Sequence, residues 1–179
     1  MKRIAVYCGS NDGTRPEYAA AAEHLGTLLA HEKIDLVYGG GRRGLMGKLA
    51  DAALFHGGHV IGVIPEMLVT IEAVHGQLPD LRVVKSMHER KALMADLADG
   101  YIGLPGGLGT FEELFEMLAW RQLGWHRKPL ALLNIGGFYD PFMAFLDHAT
   151  HEGFIRPESC ELIILENRAE TLLTRMQNF

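Results

Sequence analysis

Tyr101-Ile102-Gly103-Leu104-Pro105-Gly106-Gly107-Leu108-Gly109-Thr110-Phe111-Glu112-Glu113 runs from a short apolar segment, through a glycine-rich turn, into residues suited to a helix. A strand, a tight turn and a helix in that order are the repeating piece of a parallel α/β sheet. The spacing from Thr110 to Glu113 fits a capping box and predicts a helix cap at Thr110. The start of a helix leaves N–H groups unpaired and presents a positive dipole end, and glycine lets the backbone approach an anion with no Cβ in the way. The pattern occurs a second time upstream. Residues 34–38 are apolar, Gly39-Gly40-Gly41-Arg42-Arg43-Gly44-Leu45-Met46-Gly47 follows, and a helical pattern runs from Gly44 to about Phe55. Either turn alone also reads as a plain strand-to-helix connection. The entropy that three adjacent glycines lose on folding weighs against that reading upstream.

Working outward, short apolar runs alternate with longer helical patterns along the whole chain. Strands are predicted at residues 4–8, 34–38, 59–64, 81–84, 101–104, 130–135 and 162–165. Capping-box spacings at Thr14-Arg15-Pro16-Glu17 and Ser86-Met87-His88-Glu89 predict helices after each, and further helices are expected at about 141–152 and from Ala169 onward. The fold class is therefore α/β, a Rossmann-like three-layer sandwich on a mostly parallel, doubly wound sheet. The 179 residues suit one domain spanning 1–179, since single cores serve roughly 100–200 residues. Residues 65–80 are the least regular and read as a lid or a partner-facing loop.

Composition excludes more than it assigns. The chain is 48% hydrophobic and 22% charged, with a formal charge of -5, which argues against nucleic acid as the main partner. No apolar run approaches membrane-spanning length, and the run at 4–8 ends at Gly9-Ser10-Asn11-Asp12, too early for an export signal. Cys8 and Cys160 lack disulfide or metal spacing, so a cytoplasmic location is expected.

Two anion-ready turns at the C-terminal ends of nearby strands converge in one crevice of a doubly wound sheet, one available for a phosphate and the other for a sugar. The carboxylates of the downstream helix sharpen this picture. A phosphate at that helix start repels Glu112 and Glu113, so both should reach away from it, toward the sugar; Glu113 alone equally completes a capping box. Arg90 falls with Met87, Met94 and Leu97 on one apolar stripe and, with Lys91, supplies positive charge; an isolated Arg there reads equally as snorkelling or paired. Gly39-x-Gly41-x-x-Gly44 also satisfies the dinucleotide fingerprint, with Glu66 near the ribose-binding position, so a nicotinamide-dependent oxidoreductase is an alternative. A Walker loop fails, because Leu49 follows Lys48. His56-x-x-His59 and His148-x-x-His151 are weak metal pairs, and no metal or other cofactor is required.

At these residues the sequence resembles the LONELY GUY family, cytokinin-activating phosphoribohydrolases once mislabelled as lysine decarboxylases. The resemblance covers nearly the whole chain. Its Pro-Gly-Gly-x-Gly-Thr-x-x-Glu motif stands at Pro105 to Glu113, its triple-glycine element at Gly39 to Gly47, and its Met-His-x-Arg-Lys segment at Met87 to Lys91. The resemblance implies a homodimer that hydrolyses an N⁶-substituted adenosine 5′-monophosphate, or plain AMP, to free base and ribose 5-phosphate. It implies catalytic roles for Arg90 and Glu113. Substrate contacts are implied for Lys91, Gly106, Gly107, Gly109, Thr110, Glu112, Gly40, Gly41, Gly44, Met87 and Glu72. Leu108, where an aromatic residue is frequent, Ala119 in place of a common Thr, and Arg42-Arg43 depart from the family pattern and bear on base preference. A carrier of a nucleotide or of molybdenum cofactor, using the same turns without turnover, is the second alternative.

Overall fold

The computed structural model describes residues 1–69, 74–76 and 78–179. Seven strands, β1 (Arg3–Tyr7), β2 (Asp35–Tyr38), β3 (Val60–Pro65), β4 (Asp80–Val84), β5 (Gly100–Gly103), β6 (Leu130–Leu133) and β7 (Ile163–Glu166), form one parallel sheet in the order β4-β3-β2-β1-β5-β6-β7. Each lies within a residue or two of its expected position, because the buried parallel strands are near-continuous apolar runs bounded by turns; the edge strand β4 has no buried residue. The helices are α1 (Pro16–His31), α2 (Gly44–Phe55), α3 (Glu66–Val69), α4 (Met87–Leu97), α5 (Leu108–Gln122), α6 (Asp140–His151), α7 (Pro157–Cys160) and α8 (Ala169–Gln177). The one-turn helices α3 and α7 have no signal in the sequence.

Alternation along β1 divides the core into two layers. Ile4, Val6 and Cys8 pack with α1, α2 and α8 on one face, while Ala5 and Tyr7 pack with α4, α5 and α6 on the other. The sheet winds outward in both directions from β1, with β2 to β4 on one side and β5 to β7 on the other. The loops leaving β1 and β5 therefore separate to opposite faces and open a crevice at the carboxyl ends of the strands, where ligands of such sheets bind.

Two of the three capping boxes differ from expectation. At α1 the cap position is Arg15, with no side-chain cap bond, and Pro16 supplies the preset φ of a first helical residue instead. At α5 the cap is Gly107 and the helix starts at Leu108, so Thr110 lies inside the first turn and Glu113 is no capping partner. At α4 the Glu89 N–H donates to Ser86 Oγ at 3.1 Å, and the Glu89 carboxylate reaches back to the Lys85 N–H at 2.8 Å, one residue further than the standard box.

Candidate active site at the sheet switch point

Three turns meet where the winding reverses. Gly9-Ser10-Asn11 follows β1, Gly39 follows β2, and Gly107 to Thr110 follow β5; together with Tyr7, Cys8, Met46, Arg90 and Glu113 they line a cavity of about 300 Å³. The β1 and β5 loops are tied by a hydrogen bond from the Gly9 N–H to Pro105 O at 3.0 Å. A second lobe of about 250 Å³ shares Gly9, Ser10, Asn11 and Gly107 and is walled by Tyr18, Leu45 and Phe138. A larger depression, about 700 Å³, is lined by α1, α2 and the adjoining His56 and shares no lining residue with either lobe.

Arg90 is 7% exposed, and its guanidinium is aimed by backbone acceptors. Nε donates to Val63 O, within β3, at 3.1 Å and Nη2 to Gly39 O, just past β2, at 3.2 Å. A Cβ on residue 39 would stand 2.0 Å from Nη2, so glycine is required there for Arg90 to keep its place. Glu113, 8% exposed on α5, lines the same cavity. Both charges bear on the neighbouring Cys8 thiol: burial raises its pKa most, Glu113 raises it further and Arg90 opposes, so the thiol stays neutral.

The glycines of the two turns do different work. Gly44 adopts φ +60 and packs against the β1 loop, where a Cβ would lie 2.3 Å from Asn11 N; Gly40 has φ +78 and is buried. By contrast, Cβ atoms at Gly107 and Gly109 would meet nothing within 4 Å, and neither residue has a positive φ. The protein's own packing does not require glycine at those two places. Glycine there leaves the N–H groups at the start of α5 uncovered by any Cβ.

The family model described as "possible lysine decarboxylase" matches residues 46–176. The cytokinin riboside 5′-monophosphate phosphoribohydrolase LOG of Oryza sativa subsp. japonica is 49% identical over 179 residues, covering 100% of this chain and 74% of that protein. The cytokinin riboside 5′-monophosphate phosphoribohydrolase of Rhodococcoides fascians is 50% identical over 165 residues, 92% of this chain and 83% of that one. The chain belongs to the LONELY GUY family. A solved structure, the molybdenum cofactor binding protein from Rippkaea orientalis, aligns with this LONELY GUY chain at a TM-score of 0.74 and 21% identity, covering 99% of this chain and 96% of that one. At that identity the likeness shows the shared Rossmann-like fold alone.

For this LONELY GUY chain, the structure brings Arg90, Glu113, Gly107, Gly109 and Thr110 together around the cavity. Gly106 stands just behind, closely packed on Thr110 and lining the second lobe. Lys91 and Glu112 lie elsewhere. Lys91 Nζ pairs with Glu112 and, at 3.1 Å, with Glu116 Oε1, bridging α4 to α5 outside the cavity lining. Burial alone would lower the Lys91 pKa, but the two carboxylates outweigh it and hold it above its ordinary value. Gly40, Gly41 and Gly44 shape the upstream turn from outside the cavity lining, with the His75 N–H donating to Gly40 O at 3.1 Å; of the dinucleotide-fingerprint glycines, Gly44 packs on the β1 loop while Gly39 lines the cavity. Met87 backs Arg90 through its sulfur, 3.8 Å from Nη1. Glu72 lies outside the described residues. His59 pairs with Asp35 at 3.4 Å, and His148 and His151 occupy the last turn of α6. The β1 loop and Tyr7 went unread in the sequence, where Gly9-Ser10-Asn11 marked only the end of an apolar run; strand order alone brings them to the site.

Proposed function

We propose that this chain hydrolyses the N-glycosidic bond of an adenosine 5′-monophosphate, plain or N⁶-substituted, releasing the free base and ribose 5-phosphate. The observation that carries the reading is one cavity holding a buried cation, a buried carboxylate and an open helix start: Arg90, Glu113 and the Gly107–Thr110 end of α5. The related proteins from Oryza sativa and Rhodococcoides fascians, named as phosphoribohydrolases, support it.

The phosphate takes the N–H groups at the start of α5, where the glycines leave room and the helix dipole favours negative charge. Arg90 adds the full positive charge, its direction fixed by two carbonyls. With the phosphate anchored, the sugar reaches Glu113, one and a half turns along α5. As the bond from C1′ to the base breaks, positive charge develops at C1′, and Glu113 stabilises it and accepts a proton from the attacking water. The water oxygen ends on C1′ as a hydroxyl, Glu113 releases the proton it took to solvent, and the base takes one proton from solvent as it leaves, so the carboxylate is restored. Anchoring through a remote phosphate removes several kcal/mol of barrier, roughly 7–11 in the best intramolecular models.

The test is a panel of nucleoside 5′-monophosphates, including AMP and isopentenyl-AMP, assayed for free base against the matching nucleosides. Base release only from phosphorylated substrates, abolished in Glu113→Ala, is the expected outcome; full activity of Glu113→Ala would refute the assignment. The reading includes a cytoplasmic homodimer. Two free thiols support the location, which cell fractionation reads, and apolar side chains left exposed on and beside α5 and α6, namely Phe115, Leu123, Trp125 and Phe145, support the pairing.

A further inference from the structure

Tyr7 is the last residue of β1, and its side chain points to the α4 and α5 side of the sheet, beneath the cavity it helps to line. It is 2% exposed, and its ring stacks on Tyr101 with centroids 6.2 Å apart and planes 14° from parallel. Among the described residues its hydroxyl is buried with no hydrogen-bond partner. Phenylalanine would fill the same space and keep the stack without burying an unsatisfied hydroxyl, so fold stability does not account for the oxygen. The charged and titratable groups that bear on it are Glu113 and Glu116 from α5, Arg90 from α4 and Tyr101 from β5. Burial first, and the Glu113 charge next, hold the phenol well above its ordinary pKa, which keeps it a neutral donor at every working pH. Glu116 Oε1 pairs with Lys91 and its Oε2 is buried with no hydrogen-bond partner among the described residues, but of the two carboxylates only Glu113 lines the cavity with Tyr7.

We propose that Tyr7 is a positioning residue for Glu113: its buried hydroxyl donates to the Glu113 carboxylate when substrate closes the cavity, and turns that carboxylate toward C1′. This rests on the hydrolase reading above. Tyr7 touches no reacting atom and acts through Glu113 alone.

Tyr7→Phe in the full chain tests it, with kcat, KM, the pH profile and Tm measured together. The expected result is a fall in kcat of about 10- to 100-fold, the scale of one hydrogen bond to a charged group, with KM for AMP within about twofold. Loss of a donor destabilises the ionised carboxylate, so the Glu113 pKa rises and the acid limb of kcat/KM moves to higher pH. Tm is expected to stay level or rise by about 2–4 °C as the unsatisfied hydroxyl disappears. A merely structural tyrosine predicts the reverse, a lower Tm and an unmoved acid limb. Wild-type kcat and pH profile in Tyr7→Phe would overturn the proposal while leaving the hydrolase reading intact; no base release by the unsubstituted chain would overturn both. Glu116→Gln removes a neighbouring negative charge and moves the acid limb, if at all, downward. An upward shift matching that of Tyr7→Phe would assign the hydroxyl to Glu116 and overturn the proposal.

Discussion

Arg90 shows how a charged side chain earns a buried position. Its guanidinium satisfies one carbonyl within β3 and one just past β2 and still lines the cavity, so burial leaves it hydrogen-bonded and aimed. The cost of this arrangement falls on residue 39, where any Cβ collides with Nη2. Gly39→Ala is therefore expected to displace Arg90 and to lower kcat/KM by about 100-fold, a loss of roughly 2.7 kcal/mol of transition-state stabilisation. Circular dichroism should remain that of the parent; steady-state kinetics near the parent value would sink the argument. Arg90 and Glu113 were singled out in the sequence, Glu113 from its motif and Arg90 from its combination with the glycine turns and the family's Met-His-x-Arg-Lys segment, and both line the cavity. Lys91 and Glu112 pair with each other outside the cavity lining, which spacing did not foretell, because it tells which residues share a helix face but not that two neighbouring helices turn those faces toward each other.

At the scale of the element, α5 carries the phosphate argument. Its cap is a glycine without a side chain, its first turn has no acidic residue, and Gly109 sits in that turn with open space around it. Gly109→Ala should therefore stabilise the folded chain slightly, by about 0.4–1 kcal/mol, while the added methyl obstructs the phosphate and raises KM for AMP about tenfold or more. Thermal melts and kinetics on the same sample separate the two effects, and an unchanged KM would remove the phosphate from this site. The far end of α5 carries a pH-sensitive tie. His126 Nε2 donates to Met117 O at 3.1 Å and Nδ1 accepts from the Lys128 N–H at 3.2 Å, roles that only the neutral ring can fill. Burial, with Lys128 and Arg121 nearby, lowers its pKa despite the opposing bond to Met117. The sign follows: the unfolded chain binds the proton first, so this contribution is present above the ordinary histidine range and is lost as pH falls through the lower folded value. The expected outcome is a Tm that drops between about pH 7 and pH 5, less steeply in His126→Gln. Equal slopes for the two chains would show that the drop comes from other groups.

For the whole molecule, the decisive property is the reversal of winding at β1, which brings loops about 100 residues apart in sequence to one crevice. The apolar residues left exposed along α5 and α6 belong to the same scale and bear on the proposed pairing. Phe145, 59% exposed, is the cleanest probe. Phe145→Lys is expected to convert a dimer to a monomer in sedimentation velocity without changing the circular dichroism spectrum, and a wild-type chain that sediments as a monomer would exclude the pairing. All seven strands, the layer arrangement and the two glycine turns could be read in advance, because hydrophobic runs and turn residues are local signals carried by neighbouring positions. The sequence by itself also determined the family, through motifs that stand within a few residues of one another. Only the tertiary structure decided which glycines leave open space beside the backbone and which let the β1 loop and Arg90 pack, that Lys91 bridges α4 to α5, and that Tyr7 lines the same cavity as Glu113. Those facts depend on strand order and helix contact between residues far apart in the chain, and spacing along a sequence carries no information about them.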